Sequence, residues 1–527
     1  MRLRAAWGTT LAIVGLVTWR ARFHPVDTYG DSGAGYIEHL ERIRVLERLT
    51  TSGGSLWERL RAADGLYPPG LHVLSAPASF LGDHDPASVT VLGGAWLLLL
   101  AGAVAACART IHPRAGLPAF VATMLLPAMH AVAPRYYYDL PMAAMVWLTA
   151  AILAQTRHQP VASALAAALV FGLACGVKWS SLPLGLPIVL AGLLLAARHE
   201  RGAALRAAGA FSVCATLVVL PMVLSSTSFG AMGGATFQPP PETPLPDWSA
   251  TLDGLRPGLG HALGAMTVQA RLDGPARALF YFRRLGTTLL APALLPSFAA
   301  LVWLWLRQRA PGALACAAAI VPTALFVLFA VPPLDERFLL TILPVCALIT
   351  GIALAETTRW TGILAWFTVA VGLAVAVDFH LGTPSSGPAT PANTGHETPL
   401  RLGLSTSVDR RGWARRDDLP DHEVDLREEI LRLVQRCDAT HITGDDLLIA
   451  PKGDLNWWTF EFERQALLDT ERPRVFRAVD ASPESSMPPP TLAFTRSSAA
   501  PGPTFERWNV AMERAVWRVP AACTQAP

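Results

Sequence analysis

Behind the basic start Met1-Arg-Leu-Arg4, the stretch from Ala5 to Trp19 carries no charged residue, and apolar runs of the same kind recur as far as about position 380. A helix needs about 20 residues to cross the hydrocarbon of a bilayer. Runs at 5–20, 88–108, 116–133, 140–155, 160–177, 181–197, 207–225, 287–306, 312–331, 338–355 and 361–377 therefore predict about eleven spans. Leu71–Leu81 is also apolar, but it is short, follows Pro68 and Pro69, and contains Pro77. It reads as a helix lying in the interface. The first run has no Ala-x-Ala site after it, and Arg20 and Arg22 come next, so an uncleaved first span is expected.

Polar segments between the runs set the orientation. Arg109–Arg114, Arg157–Gln159, Arg198–Arg206, Arg307–Arg309 and Thr357–Trp360 all contain arginine. Short basic loops stay on the cytoplasmic side, which predicts a cytoplasmic N-terminus in a multi-pass protein of the cell's inner (plasma) membrane. Three long segments then fall outside: Ala21–Ser88, Thr227–Gly286 and everything after Asp378. In the last, Leu381–Pro399 is a Pro/Ser/Thr/Gly linker. Beyond it, Asp421–Cys437 has the apolar spacing of an amphipathic helix, His441–Ala450 that of a strand with a turn at Gly444, and Glu461–Leu468 that of a second helix. The expected organisation is a transmembrane domain over 1–380, a linker over 381–400 and a small soluble α/β domain over 401–527 on the extracytoplasmic side. No internal repeat is visible.

Composition narrows the function classes. Of 527 residues, 52% are hydrophobic and only 16% charged, against about 25% charged in soluble domains. A net charge of +3 gives no basis for a nucleic-acid partner. Cys107, Cys175, Cys214, Cys316 and Cys346 lie in apolar runs, where a thiol is a small packing residue. Cys437 and Cys523 lie in the polar C-terminal part, either bonded to each other or free. With no CxxC in the chain, a zinc site of that type is not expected.

The topology puts five polar clusters at the outer face. They are Asp27 and Asp31 with Tyr36 just past the first span, Tyr67-Pro-Pro-Gly-Leu-His72 before the short helix, Arg135-Tyr-Tyr-Tyr-Asp139 where a span begins, Lys178 between two spans, and Asp335-Glu-Arg337 before another. Each has an ordinary reading. The acids of the first cluster cap a helix, the arginines snorkel to the interface, and Tyr136 and Tyr137 sit in an aromatic belt. Lys178 resists this, because charges at membrane depth are costly and tend to be functional. Carboxylates from two loops can hold a divalent cation or act as a base toward a hydroxyl. Arginine and lysine can neutralise a phosphate, the first as a fork and the second as a point charge. At a membrane surface that phosphate belongs to a lipid.

These motifs, in this order, resemble the GT-C superfamily of integral-membrane glycosyltransferases, above all the branch of the protein O-mannosyltransferases and the aminoarabinose transferase of lipid A. The similarity covers about residues 1–380. Asp31-Ser-Gly-Ala-Gly-Tyr36 is similar to the family's first-loop Asp-Glu-x-x-Tyr, with Ser32 in place of the second acid and the tyrosine one position later. Pro68-Pro69, Asp139-Leu-Pro-Met, Gly172 through Lys178 (its lysine spacing slightly shifted) and Arg337-Phe-Leu-Leu-Thr-Ile-Leu-Pro344 are similar to further family patterns. The resemblance implies transfer of a sugar from a polyprenyl-phosphate donor to a glycan, lipid or protein acceptor at the outer face of the bilayer. Asp31 is then the base or acceptor-orienting carboxylate, and Asp27 shares its role. Asp139 orients the acceptor, or together with Asp31 holds a divalent cation (Mg or Mn), the one cofactor considered. Lys178 and Arg337 bind the donor phosphate, with Arg135 and Tyr36 as further substrate contacts. Asn456-Trp457-Trp458 of the C-terminal part either stacks on a sugar or packs in that domain's core. The competing class is a transporter or flippase for a lipid-linked or anionic substrate, which would show internal repeats and midplane charges.

Overall fold

The computed structural model describes residues 3–23, 67–82, 86–133, 136–156, 159–225, 312–330, 336–355, 359–381, 441–444, 477–478, 492–495, 506–511 and 514–518, with 39–40, 42–43, 53, 55, 299 and 302–303. The expected span at 287–306 falls almost entirely outside them. So do the helices expected at 421–437 and 461–468, Asn456–Trp458, Cys437 and Cys523. The chain divides into two compact units, Met1–Phe23 with Val45–Asp409, and His24–Arg44 with Arg410–Pro527.

The first unit is helical. Its described helices are α1 (Leu3–Phe23), α2 (Gly70–Leu81), α3 (Pro86–Thr90), α4 (Leu92–Ile111), α5 (Gly116–Met124), α6 (Pro127–Val132), α7 (Asp139–Ala154), α8 (Pro160–Val177), α9 (Ser181–Ala197), α10 (Arg201–Ser225), α11 (Ala313–Ala330), α12 (Pro344–Ala355) and α13 (Arg359–Leu381). Among the described residues, Ala87–Ile111, Pro160–Val177 and Arg201–Val223 are long and apolar enough to cross a membrane, and several shorter apolar helices accompany them. The apolar residues on their outer surfaces follow helical spacing. On α8, Val161, Leu165, Leu169 and Leu173 are all exposed, a stripe suited to lipid.

Two expected spans are broken, both at proline. The run 116–133 divides at Leu125–Leu126, because Pro127 starts α6 and holds Leu126 extended, with ψ 119°. The run 338–355 becomes a short 3-10 helix, Glu336–Leu339, then turns, then α12 from Pro344.

Small residues let the helices come close. A Cβ on Gly192 of α9 would strike the backbone of Ala150 in α7, and one on Gly351 of α12 would strike Ala119 in α5. With no hydrophobic drive between helices in lipid, this backbone proximity supplies the packing. α7 lies against α4, α8 and α9, while α8 also packs on α10. Only residues 155–159 join α7 to α8, so the two run antiparallel. The start of α7 and the end of α8 therefore share one end of the unit.

In the second unit the described strands are β1 (His441–Gly444), β2 (Arg477–Ala478), β3 (Leu492–Thr495), β4 (Glu506–Ala511) and β5 (Arg514–Arg518). They form one mixed sheet in the order β2-β1-β3-β5-β4. β1 is parallel to both neighbours, and β5 is antiparallel to β3 and β4, with an irregularity between Arg507 and Asn509. Parallel neighbours require long crossovers, and the chain between β1 and β2 is long enough to supply one.

Candidate active site

Asp139 is the first residue of α7 and Lys178 the residue just after α8. A helix N-terminus favours an anion and a C-terminus favours a cation, so each charge sits where its own helix stabilises it. The hairpin brings the two together. Lys178 Nζ donates to Asp139 Oδ1 at 2.7 Å, with side-chain exposures of 7% and 2%. Burial this deep is tolerated only because the charges are paired. The backbone holds the lysine in place as well. Its N–H bonds the Ala174 carbonyl at 3.0 Å, and its carbonyl accepts from Ser181 N–H at 3.0 Å.

Aromatic rings flank the ammonium. Lys178 Nζ lies 5.6 Å from the centre of the Tyr67 ring and 5.4 Å from that of Phe338, within cation–π range. Tyr67 stacks on Tyr138, centroids 4.1 Å apart. Behind Tyr138 is His72 of α2, fully buried. The hydroxyl of Tyr136 is 3.3 Å from its Nδ1 and that of Tyr138 is 3.4 Å from its Nε2. α2 reaches this position because Gly70 meets the backbone of Gly176, where any side chain would collide.

Among the expected residues the structure thus joins Asp139 to Lys178. Arg337 lies in the 3-10 helix Glu336–Leu339, next in sequence to the Phe338 that faces the lysine. That segment is anchored from α7 as well, since Trp147 Nε1 donates to the Thr341 carbonyl at 2.8 Å. Asp27, Asp31, Tyr36, Arg135 and the side chain of Arg337 lie outside the described residues.

The aromatic-belt reading of Tyr136 and Tyr137 does not hold. Both are buried, as is Tyr138, and the hydroxyls of Tyr136 and Tyr138 face the two ring nitrogens of His72. The sequence signal for this cluster was the tyrosine run itself and the histidine five residues after Tyr67, two features 64 residues apart whose pairing only the fold reveals.

Asp139 Oδ1 accepts from the Lys178 ammonium, and Asp31, the other expected cation ligand, lies outside the described residues. Among the described residues no three His, Cys, Asp or Glu gather to hold a metal. The same end of the unit contrasts with the other, where the basic loops meet. There His199 Nε2 lies 3.1 Å from the Thr110 carbonyl, and Arg206 pairs with Glu200 at 3.4 Å in the open.

No family model matches the sequence, and no curated protein matches it. Solved structures do. The chain is similar to ArnT from Cupriavidus metallidurans in the apo state, at 14% identity and a TM-score of 0.54, over 98% of this chain and 98% of that one. It is similar to the same protein bound to undecaprenyl phosphate at 14% identity and 0.54, over 96% and 97%. An oligosaccharyltransferase from Archaeoglobus fulgidus aligns at 12% identity over 98% and 64%, with a TM-score of 0.45, too distant in shape to carry an argument. The likeness shows the fold alone: this chain shares the fold of that ArnT.

Proposed function

We propose that this chain is an integral-membrane glycosyltransferase that moves a sugar from a polyprenyl-phosphate carrier to an acceptor hydroxyl on the extracytoplasmic side. The observation that carries the reading is the buried Asp139–Lys178 pair, set at one end of a helical unit whose fold matches a protein solved with undecaprenyl phosphate. A lysine kept charged at membrane depth suits a lipid phosphate. Since Asp139 offsets its charge, Arg337 from the adjoining 3-10 helix supplies the net positive charge that draws in the donor.

In this reading the acceptor oxygen attacks the anomeric carbon while the bond from that carbon to the phosphate oxygen breaks. Lys178 and Arg337 stabilise the charge building on the departing polyprenyl phosphate. Asp31, with Asp27 beside it in sequence, takes the acceptor proton. Asp139 keeps Lys178 charged and aimed. The acceptor is a glycan, lipid or protein.

The test is direct. Asp31→Asn should express and insert as wild type, yet lower transfer from a radiolabelled polyprenyl-phosphate sugar by about 10²–10⁴-fold, the usual contribution of a general base. Normal transfer by that variant, or an unchanged envelope glycan profile on deletion of the gene, would overturn the proposal.

A further inference from the structure

We propose that His72 is a positioning residue for Lys178, acting through Tyr138 and Tyr67. A neutral imidazole has one donor nitrogen and one acceptor nitrogen. Here each nitrogen faces a different phenol, Tyr136 at 3.3 Å and Tyr138 at 3.4 Å, so one hydroxyl donates to the ring while the other accepts from it. His72 therefore locks two tyrosines whichever tautomer it adopts. The ring also meets Tyr138 edge-on, centroids 5.8 Å apart at 86°. Tyr138 in turn carries Tyr67 stacked on it, and Tyr67 presents its face to the ammonium.

Lysine needs such a support. Its four-carbon stem is flexible and its ammonium is a point charge that one carboxylate fixes in distance but not in direction. Asp139 supplies the distance, while Tyr67 and Phe338 restrict the direction. Tyr138 immediately precedes Asp139 in the chain, so the same histidine steadies both partners of the ion pair. The placement of Lys178 is a structural claim. Its consequence for donor binding rests on the transferase reading proposed above.

The chain has two lysines, Lys178 and Lys452, so lysine labelled with ¹³C at Cε gives two signals in the full-length protein in detergent micelles, and Lys178→Arg identifies one of them. His72→Phe should shift and broaden the Lys178 signal while that of Lys452 stays. His72→Gln, whose carboxamide also offers one donor and one acceptor, should restore it. Tyr138→Phe, which keeps the ring but loses the hydroxyl, should move it in the same direction by less, and it decides the matter if His72→Phe does not fold. Undecaprenyl phosphate titrated into wild type should shift the Lys178 signal to saturation, and His72→Phe should weaken that binding about tenfold, the effect of losing about 1.4 kcal/mol. A Lys178 signal unmoved by the His72 and Tyr138 substitutions overturns the inference. If the wild-type signal ignores undecaprenyl phosphate, the donor reading falls, while the shifts in the variants still establish the positioning role.

Discussion

Two ion pairs lie at opposite ends of the helical unit, and they differ in every respect that sets energy. Glu200 and Arg206, six residues apart on one helix start, sit 3.4 Å apart with half of each side chain in solvent. Asp139 and Lys178, from two helices, sit 2.7 Å apart and are almost wholly covered. Water screens the first pair and would hydrate either partner alone. The second has no such fallback, so each partner requires the other. A charge kept where it is costly, beside aromatic faces and a histidine clamp, is the feature on which the proposed transferase reading rests. The exposed pair lies at the end where the arginine-containing segments 109–114 and 198–206 come together.

The largest effect should come from removing one buried partner. Lys178→Met leaves the buried Asp139 without its partner, and thermal unfolding of the purified protein should show a loss of about 3–5 kcal/mol. The double change Lys178→Met with Asp139→Leu should recover much of it, and failure to recover would mean that the pair is not the unit described. Next is Gly70→Val, which drives α2 away from α8 without touching a polar atom. A loss of about 1–3 kcal/mol is expected from overpacking, with a parallel fall in undecaprenyl phosphate binding as Tyr67 moves. Smallest is Arg206→Ala, which should change stability by about 0–1 kcal/mol and leave transfer at the wild-type rate. An effect there as large as that of Lys178→Met would abolish the contrast between the two ends.

Much of the helical unit was legible in the sequence, because a bilayer leaves few options for long apolar runs and each run advertises itself. Lys178 stood out for the same reason. The breaks at Leu126 and before Pro344 were less visible, since hydropathy is blind to backbone hydrogen bonds and the prolines sat inside otherwise uniform runs. Tyr136 and Tyr137 were misread because a tyrosine at a span boundary has the same composition whether it faces lipid or turns inward. Only the fit of Gly70 on Gly176, which carries His72 beneath them, decides the matter. Of the C-terminal strands, only β1 had been expected; β3 has only four residues, and β4 opens on Glu506-Arg507 while β5 has arginine at both ends, which blurs any alternation.

The loop between α7 and α8 carries a consequence for biogenesis. Both members of the buried pair belong to one helical hairpin, 39 residues apart in the chain. A lone carboxylate or ammonium in apolar surroundings is costly, and a segment bearing one is at risk of being rejected during synthesis. When α8 emerges on the heels of α7, the two charges meet before either must face lipid alone. The hairpin can then leave the translocon as a neutral unit, so the pairing also serves the order in which the two helices are built.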